Sequence, residues 1–360
     1  MKLRISLSTI LILLILILAA FLRLYKIGEY MTFLGDEGRD VLVALSILQG
    51  HFTLLGPRAS AGNFFTGPIY YYMMAPFLWL FHLNPVGPAI MVALFGIATV
   101  YLIYHIGKEF FDLKTALIAA SLYAVSPLVI TYTHSSWNPN TVPFFSLLTL
   151  FILYKAVSNK KSWKYYLIVG FLLGICIQLH YISLFLAVIV AVSLLVMHWY
   201  LNKKLIILQL IYYYLEIFLG FVIGFSPFIL FEVRHGFPNT KTIIQFITSD
   251  TTSHSYSTYS AFYQPIEDVF FRLFGRLIFN YPSSVNYNSY PLIYLHLYGL
   301  VVIILSIASI IVLLNHKNKF AVILLGTWLF FGVILFGLYK KPIYDYYFVF
   351  MFPLPFFPYR

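Results

Sequence analysis

An acidic cluster near the beginning of the chain is the first candidate for chemistry. The chain has only twelve acidic residues, and three of them, Asp36, Glu37 and Asp40, fall within five positions. Apolar residues at helical spacing follow and end at Gly50, which places the carboxylates in the first turn of a helix. A carboxylate there could accept a proton from a reacting group, or could simply be stabilised by the helix dipole. The residues alone leave both interpretations open.

The chain that carries this cluster has the composition of a membrane protein. Of its 360 residues, 61% are hydrophobic, 20% aromatic and 10% charged, against about 25% charged in ordinary soluble proteins. So few charges could not cover a soluble surface without large exposed apolar patches. This excludes a soluble enzyme, a nucleic-acid-binding protein and a secreted disulfide scaffold. The only cysteine, Cys176, lies in an apolar run, so no disulfide is available.

Long apolar segments predict an all-α polytopic membrane protein with about ten transmembrane helices. The first, 5–22, follows two basic residues and is a signal anchor. Further spans are predicted at 86–106, 116–132, 142–154, 165–179, 182–199, 205–231, 292–314 and 320–338. A tenth begins near Ile343 and the chain stops within it at Arg360, so we expect a C-terminal truncation. Residues 1–360 are interpreted as a single multi-pass domain.

The segment 67–81 decides the orientation. It is apolar and aromatic, but it has only 15 residues and contains Pro68 and Pro76. If it does not cross the membrane, twelve basic residues of short loops lie in the cytoplasm, whereas crossing would put ten of them outside. Positive charge is normally retained inside. We therefore predict an interfacial or re-entrant element, a cytoplasmic N-terminus and a location in the plasma membrane.

Two large outer segments then remain, 23–85 with the acidic cluster and 232–291. Both mix Gly, Pro, Ser, Asn and aromatic residues, which suits lids and interfacial helices rather than a separate soluble domain. The active site is expected on this outer face. Glu216, an acid inside the predicted span 205–231, instead favours a transporter or flippase. The absence of a repeat in the sequence weakens that alternative.

Several motifs, in their order, resemble the C-type membrane glycosyltransferases, and more narrowly the protein O-mannosyltransferase-like family, which includes aminoarabinose transferases. The outer Asp36-Glu37 pair follows the first span by about a dozen residues. Thr66-Gly67-Pro68-Ile69-Tyr70-Tyr71-Tyr72 resembles the family's proline-aromatic element. The sequence from Ile106 to Phe111 resembles its helix-end turn, and Ala124-Val125-Ser126-Pro127 the outer part of its next span. The resemblance covers most of the chain in layout.

The resemblance implies a transfer of sugar from a polyprenyl-phosphate donor to a hydroxyl or amine of a lipid, glycan or protein. It makes Asp36 the catalytic base, with Glu37 as its catalytic neighbour. A base suffices because polyprenyl phosphate leaves as a stable anion that cations can hold. A lipid-glycan ligase or polymerase is an alternative with the same donor. Aromatic residues such as Tyr72 and Trp79 could stack on sugar rings, or could anchor the protein at the interface.

We expect substrate-binding side chains beside the acidic pair and at the outer ends of spans. They are Arg39, Asp40, Arg58, His180, Glu232, Arg234, His235, Lys340 and Lys341. Of these, Arg234 is expected to contact the phosphate, with a structural pair to Glu232 as the alternative. The basic residues could also contact lipid headgroups.

No metal ligands are carried over from the family. Where some members have a second outer acid, this chain has Asn138-Pro139-Asn140, and hard cations prefer carboxylates. His51, His82 and His134 are expected to form local hydrogen bonds. We expect no certain cofactor, with a divalent cation as a further option, and no nucleic-acid partner.

Overall fold

The computed structural model describes residues 6–59, 62–159, 162–248, 261–281, 291–339 and 342–357. In this part of the chain the regular structure is helical, apart from one isolated antiparallel bridge between Arg58 and Phe65. The α-helices are Leu7–Leu24 (α1), Ile27–Tyr30 (α2), Gly35–Leu48 (α3), Ile69–Leu80 (α4), Val86–Phe110 (α5), Leu113–Val125 (α6), Pro127–Thr133 (α7), Val142–Ser158 (α8), Trp163–Leu179 (α9), Leu184–Asn202 (α10), Ile207–Gly224 (α11), Ser226–His235 (α12), Pro238–Thr248 (α13), Tyr263–Gly275 (α14), Leu292–Leu314 (α15) and Lys319–Ile334 (α16).

The helices confirm an all-α polytopic membrane protein. Within the described ranges, seven helical segments are long and apolar enough to cross a bilayer, and an eighth results if α6 and α7 count as one bent span. The apolar helix α9 has 17 residues, which is at the lower limit of spanning length. The short α2, α3 and α4 precede α5, in agreement with the expected interfacial helices of the first outer segment.

The predicted span 116–132 is bent by 61° between α6 and α7. Pro127 has no N–H and disfavours a helical conformation in Ser126, so the carbonyls of Tyr123 and Ala124 lose their helical partners. The fully buried Arg23, at the end of α1, replaces them by donating to Ala124 O at 2.9 Å and to Tyr123 O at 3.3 Å. The bend is therefore stabilised by a cation from another helix.

Two other predicted spans differ from the structure. The predicted span 205–231 is interrupted at Phe225, after which Ser226 begins the separate helix α12 with Pro227 in its first turn. The tenth span predicted from Ile343 was wrong for the residues described, because Asp345–Met351 and Leu354–Phe356 form short 3₁₀ helices. These turns bury their aromatic side chains in the protein core instead of exposing them to lipid.

Residues 25–85 begin and end at the same end of the bundle. Ile27 of α2 packs with Ala89 and Ala93 near the start of α5, and Leu24 at the end of α1 joins this cluster. Helix α4 has only 12 residues, too few to span a bilayer. The geometry thus agrees with an element at 67–81 that does not cross.

The closest helix pairing joins α9 and α11 through facing glycines. A Cβ on Gly170 would lie 1.8 Å from the carbonyl oxygen of Ile217, and one on Gly220 would lie 1.9 Å from that of Leu167. Both obstacles are backbone atoms, which cannot rotate away. Glycine is therefore required for the two backbones to approach, as is common between membrane helices.

Gly220→Ala is expected to destabilise the protein, by about 1–3 kcal/mol or more, because the added methyl group must separate α9 from α11. Gly326→Ala is the matched control, since a Cβ there meets nothing within 4 Å. Thermal unfolding of the two purified variants in detergent measures the difference. Equal unfolding midpoints for both variants would contradict this account of the packing.

Candidate functional site

A cleft that is partly open to solvent brings together residues from distant parts of the chain. It lies where α3, the loop before α4, the turn after α9 and the segment after α16 meet. Its walls are formed by Asp36, Arg39, Pro57, Arg58, Ala59, Thr66, Trp137, Asn138, Pro139, His180, Tyr181, Tyr346 and Tyr347. Four residues predicted from the sequence are among them: Asp36, Arg39, Arg58 and His180.

The first turn of α3 presents a carboxylate and a guanidinium to this cleft. Arg39 Nη1 donates to Asp36 Oδ1 at 2.9 Å, and the two side chains are 39% and 47% exposed. Asp36 Oδ2 makes no hydrogen bond with the residues that the structure describes. The bond from Arg39 to Oδ1 thus orients the Asp36 side chain, and Oδ2 is available to accept a proton.

Asp40 lies behind Arg39 and does not line the cleft. Its carboxylate is fully buried, and Oδ1 accepts from Arg39 Nε at 2.9 Å, Arg39 Nη2 at 2.7 Å and Tyr71 Oη at 3.2 Å. Burial raises the pKa of Asp40 to about 6, although Arg39 and Tyr71 favour its charged form. The predicted substrate-binding residue therefore contacts Arg39 and fixes the plane of its guanidinium.

Glu37 points away from the cleft and anchors α3. Its Oε1 accepts from Thr32 Oγ1 at 3.0 Å and Ser135 Oγ at 2.8 Å, while Oε2 accepts from Leu34 N at 3.0 Å. Burial raises the pKa of Glu37, but these hydrogen bonds outweigh it and the net pKa is lowered. An ionised carboxylate with three donors is suited to holding the helix start against the turn after α7.

The proline-aromatic element is docked on the end of α9 by Gln178. Gln178 Oε1 accepts from Ile69 N at 3.1 Å, and its Nε2 donates to Gly224 O at 2.5 Å. A Cβ on Gly67 would lie 2.3 Å from the Gln178 side chain, so the glycine is needed for this contact. The same loop carries Arg58, whose Nη2 donates to Asn63 Oδ1 at 2.5 Å and which is otherwise exposed.

His180 supplies no positive charge to the cleft. The ring is buried and stacks on Tyr181 with 5.0 Å between centroids. Burial lowers the pKa of His180 to about 3, so the imidazole is neutral at ordinary pH. It can offer a hydrogen bond but does not replace an arginine as a partner for an anion.

The described part of the segment 232–291 contributes an anchor rather than a cleft residue. Glu232 is buried and accepts from Asn239 N at 3.1 Å, Asn239 Nδ2 at 2.9 Å and Thr240 N at 2.7 Å, which caps α13. Asn239 Oδ1 accepts in turn from Phe65 N at 2.9 Å. These bonds tie the segment 232–291 to the segment 23–85. Burial raises the pKa of Glu232, but the bonds prevail and lower it.

The remaining predicted binding residues lie elsewhere. Arg234 and His235 are exposed in the last turn of α12, and they are not among the residues that line the cleft. No ion pair joins Arg234 to Glu232, whose oxygens are bound by α13. Lys340 and Lys341 lie outside the described residues, so their predicted role stays a prediction.

Aromatic cleft residues were missed from the sequence. Trp137, Tyr181, Tyr346 and Tyr347 line the cleft, whereas Trp79, proposed above for sugar stacking, is 68% exposed outside it. Tyr72, the other candidate, bonds to Thr53 and does not line the cleft. A chain with 30 tyrosines and 36 phenylalanines gives no local signal that separates these rings from interfacial ones.

The described side chains include no cluster of three His, Cys, Asp or Glu residues that could hold a metal ion. The nearest carboxylates, Asp36 and Asp40, are both bound to Arg39. His134 Nε2 lies 3.1 Å from Leu22 O of α1, so its expected hydrogen bond is present but is long-range in the sequence rather than local. This donor set does not fit a hard divalent cation, which needs several oxygen ligands. The option of a divalent cation remains a prediction from the sequence.

Comparisons with known proteins agree with this architecture. Residues 66–231 match the family model for dolichyl-phosphate-mannose-protein mannosyltransferases. No curated protein matches the chain significantly. ArnT from Cupriavidus metallidurans bound to undecaprenyl phosphate is similar, with a TM-score of 0.64 and 14% identity, over 98% of this chain and 58% of that chain.

A second similar structure is the archaeal oligosaccharyltransferase AglB from Archaeoglobus fulgidus in complex with an inhibitory peptide and a dolichol-phosphate. Its TM-score is 0.57 at 13% identity, over 98% of this chain and 49% of that chain. This chain thus spans 58% and 49% of the lengths of the two proteins. At these identities the similarity concerns the fold. The chain therefore shares the fold of ArnT and AglB over almost its whole length and, over residues 66–231, matches the family model for dolichyl-phosphate-mannose-protein mannosyltransferases.

Proposed function

We propose that the protein transfers a sugar from a polyprenyl-phosphate donor to a hydroxyl or amine acceptor, with Asp36 as the base. The observation that carries this proposal is the cleft, where a carboxylate with a free oxygen lies among two arginines and several aromatic rings. The bound undecaprenyl phosphate of ArnT and dolichol-phosphate of AglB favour a lipid-phosphate donor for this fold. The acceptor can be a lipid, a glycan or a protein.

The proposed reaction needs one base and one anion-binding site. The acceptor oxygen or nitrogen attacks the anomeric carbon and loses its proton to Asp36 Oδ2 as the new bond forms. The bond between the anomeric carbon and the phosphate oxygen breaks, and polyprenyl phosphate leaves as an anion. A second carboxylic acid is unnecessary because this leaving group is already stable without protonation.

Arg39 and Arg58 are the cations best placed for the leaving phosphate. Both line the cleft, and an arginine can bind two phosphate oxygens at once. Arg39 is rigidly held by Asp40, whereas Arg58 is bound only to Asn63 among the described residues. The sequence-based expectation for Arg234, and for Lys340 and Lys341, stays a second proposal for the same phosphate.

We propose that the cleft opens on the outer face of the plasma membrane. Asn318, at the start of α16, donates to Phe110 O and to Tyr154 Oη at the ends of α5 and α8. These contacts define the end of the bundle opposite to the cleft, where Lys155 also pairs with Glu109 at 2.7 Å. Lys108, Lys155 and Lys319 lie in helix turns at this end, and the positive-inside bias places it in the cytoplasm.

Sugar transfer is expected to fall as the pH is lowered through about 6, because Asp40 then becomes protonated and holds Arg39 less firmly. The charged carboxylate is present above this pKa, so the loss lies on the acidic side. Asp40→Asn should lower the rate at neutral pH several-fold and remove the acidic limb near 6. The measurement is the pH dependence of kcat/KM for both proteins. If kcat/KM of Asp40→Asn still falls below pH 6 as in the wild type, the fall belongs to the titration of another group.

Reconstitution in liposomes tests the proposed function against its rivals. The purified protein receives mannosyl-, glucosyl- or galactosyl-polyprenyl phosphate and a mixture of lipid, glycan and peptide acceptors. Mass spectrometry should show free polyprenyl phosphate together with a glycosylated acceptor, and a glycan acceptor would indicate the ligase or polymerase alternative. Movement of intact donor between leaflets, lost in Glu216→Gln, would instead show a transporter or flippase. The proposal is contradicted if no donor is cleaved and no acceptor is modified.

A further inference from the structure

The cleft has an aromatic wall, made of Trp137, Tyr346 and Tyr347, which the proposed reaction does not yet use. Trp137 contacts Tyr346 with 4.5 Å between ring centroids and an interplanar angle of 60°. Tyr344, which does not line the cleft, stacks on Tyr346 with 5.6 Å between ring centroids and an interplanar angle of 6°. Trp137 and Tyr346 are half-buried, and Tyr344 is 54% exposed. Such rings would ordinarily be covered by core or lipid, but Trp137, Tyr346 and Tyr347 line a cleft that also contains Asp36 and Arg39.

The chemistry of this wall suits a sugar ring. A pyranose has an apolar C–H face and hydroxyl groups at its edge, and aromatic side chains with a polar tip match that combination. The indole N–H of Trp137 makes no hydrogen bond to a described residue and is available for a hydroxyl. Asp36 and Arg39 line the same cleft. One sugar-linked lipid can therefore place its sugar ring on the aromatic wall while its phosphate contacts the arginines.

A buried ion network fixes the segment that carries the tyrosines. Arg272 of α14 donates to Asp345 Oδ1 from Nε at 2.9 Å and from Nη2 at 2.5 Å. Arg276 pairs with Asp345 Oδ2, so both carboxylate oxygens are bound. Arg272 Nη1 also donates to Ile343 O and to Asp268 Oδ2, each at 2.8 Å.

This network is buried and charged, which suits it to hold Asp345 in one position. Asp345 is only 6% exposed, and the guanidinium of Arg272 lies 5.2 Å from the ring centre of Phe348. Burial lowers the pKa of Arg272, but Asp345 and Asp268 outweigh it and the net pKa is raised, so the guanidinium stays charged. Asp345 stands between Tyr344 and Tyr346 in the sequence. Its bonds to Arg272 and Arg276 therefore fix the backbone that carries both tyrosines.

We propose that Trp137 and Tyr346 bind the sugar ring of the donor, and that the Asp345–Arg272–Arg276 network positions this carbohydrate-binding face. The inference rests on the proposed function for the identity of the donor. It assigns two specificity residues and three positioning residues that act through them.

The test measures binding without turnover, so that it does not depend on catalysis. Proteins carrying Asp36→Asn are titrated with mannosyl-, glucosyl- and galactosyl-polyprenyl phosphate and with polyprenyl phosphate alone, using microscale thermophoresis in detergent. At least one sugar-linked lipid should bind more tightly than the sugar-free lipid, by roughly 5- to 10-fold, as expected for ring packing. Trp137→Leu and Tyr346→Leu should remove that difference and leave the affinity for polyprenyl phosphate unchanged.

The positioning role has its own signature. Asp345→Asn and Arg272→Lys should lose the preference for the sugar-linked lipid while they still bind polyprenyl phosphate, whereas a general loss of structure would weaken both. Trp79→Leu is the matched control, since this tryptophan is outside the cleft. The proposal is overturned if no sugar-linked lipid binds better than polyprenyl phosphate, or if the preference survives in Trp137→Leu and Tyr346→Leu. It is also overturned if the two network variants lose both affinities together. Failure of catalysis alone would affect only the proposed function.

Discussion

Asp36→Asn is expected to reduce sugar transfer by the purified protein about 100-fold or more, the usual range for removal of a general base. The amide keeps the shape of the side chain and can still accept from Arg39, but it cannot take a proton from the acceptor. The measurement is the initial rate of acceptor glycosylation at saturating donor. Binding of the donor should change little, so the loss should appear in kcat.

Glu29→Gln is the matched control for this variant. Glu29 forms an exposed pair with Lys26 at 3.0 Å, and its side chain is 66% exposed. Such surface pairs contribute little to stability, so the control should behave like the wild type. Near-normal turnover of a well-folded Asp36→Asn protein would reduce Asp36 to a helix-capping residue.

Replacement of Arg39 is expected to have the second-largest effect. Arg39→Ala removes a cation that faces the cleft, and the loss should be on the order of 2 to 4 kcal/mol in transition-state stabilisation, or about 30- to 1000-fold in kcat/KM. Arg39→Lys should recover only part of it, because an ammonium group cannot reproduce the two-point grip on phosphate and the simultaneous bonds to Asp40.

The buried Asp40 requires a second variant. Removing Arg39 alone leaves an unpaired buried carboxylate, which destabilises the fold independently of catalysis. The double variant Arg39→Ala/Asp40→Asn removes that charge and should regain thermal stability without regaining activity. Recovery of activity in the double variant would show that Arg39 only neutralises Asp40.

Arg58→Ala and Arg234→Ala locate the phosphate. The cleft geometry predicts a clear loss of transferase activity for Arg58→Ala. The sequence-based expectation instead predicts that Arg234→Ala loses about 2 to 4 kcal/mol of transition-state stabilisation. Arg234 is exposed and outside the cleft lining, so a large effect there would move the phosphate site to the end of α12.

Local patterns were sufficient to predict the parts of the site that lie on one element. The apolar stripe and Gly50 predicted a helix at the acidic cluster, and the structure places α3 at Gly35–Leu48. The short length of 67–81 predicted a helix that does not cross, in agreement with α4. The burial of Asp40 was not predictable, because it depends on Tyr71 of another helix.

Long-range contacts explain what the sequence could not supply. Trp137 and Tyr346 meet although they are separated by more than two hundred positions, and Asp345 meets Arg272 across 73. The bend after Val125 contains a visible proline, but its stabilisation by Arg23 depends on a helix about a hundred residues earlier. Hydropathy alone also gave a tenth span at Ile343, since apolar aromatic residues suit a protein core as well as lipid.

The most direct test of the central claim is a cryo-electron microscopy structure of the Asp36→Asn protein with a bound sugar-linked polyprenyl phosphate. The account predicts the phosphate within hydrogen-bond distance of Arg39 or Arg58, and the anomeric carbon beside residue 36 in the cleft. A phosphate bound outside this cleft, with the sugar remote from residue 36, would contradict the account.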